Sequence, residues 1–158
     1  MVIQWALWVH IASVLVFLAA HGASMVVLYR IRRERDREKI LSFITLSGEA
    51  SRPMYIALVA IVLSGSYLGW RLSSFQHWWV WTAIAILVLT TTLMLVVAKP
   101  YFDRVKTACA VRPSGVPRKS DEELIGLLTS AHAHVITAIG VLGLVAILYL
   151  MVFQPGLI

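Results

Sequence analysis

The 158-residue chain is expected to form an all-α fold, an antiparallel bundle of four transmembrane helices with both termini outside. Three observations predict it. Apolar residues make up 59% of the chain and charged residues 14%, whereas a soluble domain holds about half and about a quarter. Four stretches reach the ~20 mostly apolar residues that a span requires. The basic residues are confined almost wholly to two segments between those stretches. A soluble enzyme is thereby excluded.

The first span covers 3–29. No basic residue precedes it, and the run is longer than the apolar core of a cleaved leader, so it reads as a retained helix. The second covers 54–70, the third 78–98, and the fourth lies in 127–153. None holds an Asp, Glu, Lys or Arg in its interior. The four spans form a single membrane domain over 1–158.

Orientation follows from the loops. Segment 30–53 carries Arg30, Arg32, Arg33, Arg35, Arg37, Lys39 and Arg52. Segment 99–123 carries Lys99, Arg104, Lys106, Arg112, Arg118 and Lys119, while the remaining connection holds only Arg71. The positive-inside rule assigns both long loops to the cytoplasm, in a bacterial inner membrane. The formal charge of +6 is then a topological signal, and nucleic acid is not expected as a partner. Trp5, Trp8, Trp70, Trp78, Trp79 and Trp81 fall near the outer boundary and Tyr29, Tyr55 and Tyr101 near the inner one, as interfacial belts do.

The loops carry their own signals. Ile40, Phe43 and Leu46 at helical spacing predict an extension of the first helix followed by a surface helix within 32–50. Pro113, Gly115 and Pro117 predict a break. Ser120 to Glu123 reads as a capping box, which starts the fourth helix well before the membrane. Thr90, Thr91 and Thr92 are expected to back-bond to their own helix, as are Ser64 and Ser66. Cys109, the lone cysteine, can form no intrachain disulfide and is expected to be inert.

The conspicuous chemistry left is five histidines: His10, His21, His77, His132 and His134. Ionisable residues inside a span are functional candidates by default. His10 and His21 are eleven residues apart, so they project within 20° of one another and roughly 16 Å apart along the axis. Gly22 beside His21 is expected to admit a neighbouring helix or a planar ligand. In an antiparallel bundle His21 approaches the depth of His132 and His134, and His10 that of His77. His132 and His134 diverge by 200°, and the Gly140 and Gly143 face favours His132 as the inward one. Two imidazoles on facing helices can hold a haem b iron, with propionates met by Arg30, Arg52 or Lys99. The expected metal ligands are therefore His21 with His132 or His134, and a second haem is possible near His10. The competing assignment for each histidine is a helix–helix or boundary hydrogen bond.

The segments Val9-His10-Ile11-Ala12-Ser13 and Ala20-His21-Gly22-Ala23-Ser24, in a four-span chain of this length, resemble small integral membrane proteins of unknown function. Those resemble in turn the CopD-like and cytochrome b-like membrane families. The resemblance implies a b-type haem bundle or a copper-handling relative, with His10, His21 and one of His132 and His134 as ligands. The chain departs from cytochrome b-like bundles in having no histidine inside the second or third span.

Three functions follow as expectations. One is an electron-transfer subunit of a respiratory complex, carrying haem b and meeting a quinone or redox protein. Another is a non-catalytic accessory subunit packed among other membrane subunits in a respiratory or photosynthetic complex. The third is a copper-handling protein, disfavoured by the scatter of Met25, Met54, Met94 and Met151.

Overall fold

The computed structural model describes residues 1–113 and 115–155. They build four rods. The first is α1 (Val2–Arg33) and the second α2 (Arg37–Arg71). The third runs through α3 (Trp78–Leu93), a π-helical turn (Met94–Ala98) and α4 (Lys99–Cys109). The fourth consists of α5 (Asp121–Thr129) and α6 (His132–Phe153). All four rods are long and apolar enough to cross a membrane. The expected all-α four-helix bundle is what the chain forms.

The rods of 32–35 residues measure ~48–52 Å at 1.5 Å per residue. That exceeds the ~30 Å hydrocarbon core by several turns. The excess lies at the charged end, and local chemistry explains why helix persists there. Arg30, Arg32 and Arg33 fill the last turn of α1, where cations suit the helix C-terminus. Three residues later Asp36 caps α2, its carboxylate accepting from the backbone N–H groups of Glu38 and Lys39.

Here one expectation is corrected. Segment 37–53 is not a separate surface helix. It forms the first turns of α2, continuous with the second span. Pro53 removes one donor without ending the helix. Ile40, Ile44 and Ser47 are buried on the same face, and the Ser47 hydroxyl donates to Ser24 Oγ of α1 at 3.1 Å. Packing against α1 therefore outweighs the local penalty.

The third rod bears the mark of its own proline. Pro100 has no N–H to offer the carbonyl of Val96, four residues back. The helix widens just before it, and the Lys99 N–H reaches Met94 O, five residues back. Segment 99–109, expected as loop, is the helical continuation α4. The break expected at Pro113, Gly115 and Pro117 is present among the described residues, with Val111 and Pro117 paired in an isolated bridge. So is the capping box: Ser120 Oγ accepts from Glu123 N, and the Glu123 carboxylate accepts from Ser120 N.

α1 pairs with α2 along its length and α3 with α6, giving two antiparallel hairpins. Their junction is densest at the charged end. Val27, Leu28, Ile31, Ile40, Ile44, Val105, Ala108, Cys109, Leu124, Leu128, Ala133 and Ile136 form one buried cluster there. A smaller cluster of Trp79, Val80, Ala83 and Leu150 closes the opposite end. Between them the helices present Leu, Ile and Val outward, as lipid-facing surfaces do. Trp5, Trp8, Trp70, Trp78 and Trp81 are exposed at the end opposite the charged one, while Trp79 is buried.

Candidate functional site

The histidines of α1 face small residues on neighbouring helices. His10 Nδ1 lies 3.1 Å from Ser64 Oγ of α2. The Ser64 hydroxyl proton is directed to Ala60 O, as expected of a helical serine. With that hydroxyl proton committed to the carbonyl, the Nδ1 edge of His10 is placed to donate to the Ser64 oxygen. Its ring rests on Gly65, where an added Cβ would lie 3.0 Å from His10 Cε1.

His21 repeats the arrangement one hairpin over. Its ring stacks on Phe17 (centroids 6.2 Å apart, 3° between planes). Its edge seats on Gly140 of α6, where an added Cβ would stand 2.5 Å from Nε2. The Met94 methyl reaches the same glycine from the π-helical turn. Thr90 occupies Gly143 in the same way. Among the described residues Thr90, Thr91 and Thr92 make no side-chain hydrogen bond, so the expected back-bonds are replaced by packing, at least for Thr90. Gly22 faces open space; the close approach expected beside His21 occurs at Gly140 instead.

His132 and His134 are exposed at the start of α6. His132 lies nearly parallel to the buried Tyr101 ring (6.0 Å, 16°) and its Nδ1 is 3.3 Å from Ser130 Oγ. His134 Nδ1 is 3.4 Å from Tyr29 OH. His77 precedes α3 as its cap residue and donates its backbone N–H to Ser74 O. His10 is turned to Ser64 and Gly65, and among the described residues no hydrogen bond joins it to His77. Arg30 places its guanidinium over the Phe43 ring at 5.9 Å, and Arg52 is exposed.

The structure does not bring His21 together with His132 or His134. Gly140, which marks the level of His21, lies eight residues beyond His132 and six beyond His134. Those offsets are ~12 and ~9 Å of helix rise. A shared haem iron needs two imidazoles facing one another across it. The thin place in α6 opposite His21 is filled by the His21 ring itself. The residues of this packing therefore do not fit a haem held by His21 and His132. Nor does any group of three or more His, Cys, Asp or Glu able to hold a metal ion occur among the described residues.

Two arginines read from sequence only as topological signals act as clamps. Arg37 of α2 donates to Ala108 O at the end of α4 (2.7 Å), to Lys119 O (2.8 Å) and to the Asp121 carboxylate (2.6 Å). Arg32 of α1 donates to Ser130 O (2.7 Å) and Thr129 O (3.3 Å), where α5 ends. Helix C-termini leave carbonyls without intrahelical partners, and these guanidinium groups supply the donors. The available signal was the absence of a C-capping glycine after either helix.

Known protein-family models, curated proteins and solved structures include none that matches this chain.

Proposed function

We propose that this chain is a non-catalytic accessory subunit of a larger membrane assembly, anchored by four spans and presenting a folded, basic platform at the membrane surface. The observation that carries the reading is where the chain invests its packing. The most buried residues belong to the charged end, with Ile31, Ile40, Val105, Ala108, Cys109 and Ala133 all at 0% exposure. Chain that merely linked spans would need no such core. The polar residues along the rods support the same reading: His10, His21, Ser24, Ser47 and Thr90 are directed at neighbouring helices of the chain itself. Hydroxyls, imidazoles and small residues are what hold helices together in lipid. The basic content of the platform supports a cytoplasmic position by the positive-inside rule, and a bacterial inner membrane is the setting proposed for it.

The test is native extraction of the tagged chain in a mild detergent, followed by a native gel and an absorption spectrum. Co-migration with other membrane subunits, and loss of that assembly on deletion of the chain, is expected. A lone chain carrying a b-type haem spectrum, abolished by His21→Ala, would overturn the reading in favour of an electron carrier.

A further inference from the structure

A cleft of about 620 Å³ opens between α4 and α5, lined by Asp103, Arg104, Thr107, Lys119, Glu123 and Leu127. It is an open groove whose lining, Leu127 apart, is exposed. Helical spacing builds both walls. Asp103 and Thr107 share one face of α4, with Arg104 about 100° round the helix at the edge of the same cleft, and Lys119, Glu123 and Leu127 recur every fourth residue along α5 and its approach.

The cleft stands at headgroup depth. Its α4 wall begins five residues past Ala98, where the apolar run of the third rod ends, which is ~8 Å of rise. The headgroup zone adds ~5–8 Å to each side of the hydrocarbon core. Leu127 forms the apolar floor, and Lys119 lies two turns further from the membrane.

Its charges are balanced, two cations with two anions, unlike the basic surface around it. Lys119 and Glu123 are paired with each other at 3.1 Å. The Thr107 hydroxyl donates to Asp103 O within its helix. Among the described residues the Arg104 guanidinium and the Asp103 carboxylate take part in no ion pair or side-chain hydrogen bond. One wall thus offers an uncommitted cation beside an uncommitted anion, at the depth where phospholipids carry both. A guanidinium matches a phosphate diester, and a carboxylate matches a primary ammonium that can donate hydrogen bonds to it.

We propose that this cleft binds the headgroup of a zwitterionic phospholipid bearing a primary ammonium, with phosphate on Arg104 and ammonium on Asp103. The full chain, delipidated in detergent, is titrated with phosphatidylethanolamine, phosphatidylcholine and phosphatidylglycerol and read by native mass spectrometry. Phosphatidylethanolamine should bind at least fivefold more tightly than the other two. Arg104→Gln and Asp103→Asn should each remove that preference while circular dichroism stays unchanged. Tighter binding of phosphatidylglycerol would mark a simple anion site and overturn the proposal. So would variants that keep the preference. Displacement of the lipid by an equal concentration of soluble phosphoethanolamine would contradict a lipid source. Should either variant fail to fold, the ranking of the three lipids on the unaltered chain decides.

Discussion

The arginine at position 37 shows how a residue acquires a role that its charge alone does not announce. Its ion pair with Asp121 is short, but the Asp121 side chain is 84% exposed, and exposed pairs contribute ~0–1 kcal/mol. The two backbone carbonyls it reaches, Ala108 O and Lys119 O, weigh more. Hydrogen bonds from a charged donor contribute about 1.5–3 kcal/mol each. Arg37→Ala should therefore destabilise the chain by about 2 kcal/mol or more in chemical denaturation, and Asp121→Asn by less than about 1 kcal/mol. Equal effects would mean that the ion pair dominates. A smaller device sits in the α1–α2 turn. The Glu34 carboxylate accepts from the backbone N–H groups of Arg35 and Asp36, which hold its pKa below the usual carboxylate value. The stability it contributes is present above the ordinary carboxylate pKa and is lost as pH falls through the lowered one. Amide exchange at Arg35 and Asp36, corrected for intrinsic rates, should lose protection on acidification. Glu34→Gln should remove that pH dependence.

At the scale of elements, glycines on α2 and α6 decide how the helices meet. Gly65 receives His10, Gly140 receives His21 and Gly143 receives Thr90. An alanine at 140 would drive its methyl into a rigid imidazole as well as a flexible methionine. Overpacking of this kind costs about 1–3 kcal/mol. Gly140→Ala should lower the unfolding free energy by that amount, and the double variant with His21→Ala should recover part of it. Additive losses would show that the two side chains do not meet. Element existence was legible because its signals are local. Apolar run length gave the spans, and Ser120 with Glu123 gave the start of α5. The fusion of 37–53 with the second span was not legible, since Pro53 and the seven basic residues of segment 30–53 argue locally for a loop. Only the burial of Ile40 and Ile44 against α1 decides otherwise. The site was legible in part. The common face of His10 and His21 follows from spacing, but their partners Ser64, Gly65 and Gly140 lie 54 to 119 residues away along the chain. The offset between His21 and His132 depends on how the rods slide past one another, which periodicity does not encode.

Across the whole molecule, packing is distributed unevenly. The spans are wrapped loosely, as helices surrounded by lipid can be, and the hydrophobic effect operates fully only where water reaches. The charged end meets water and holds the densest cluster. Ile40, fully buried there, should cost about 2–5 kcal/mol on truncation to Ala. A lipid-facing side chain such as Leu142, 68% exposed, should cost far less in the same detergent. Parity between the two would mean that the platform is not a folded unit. The measurement that tests the central claim most directly is the mass of the species extracted natively from membranes, read together with its visible spectrum. An accessory subunit predicts the 17.6 kDa chain at fixed stoichiometry within a complex of other membrane proteins, with no haem assigned to it. A homogeneous species containing this chain alone and a b-type haem would contradict the account.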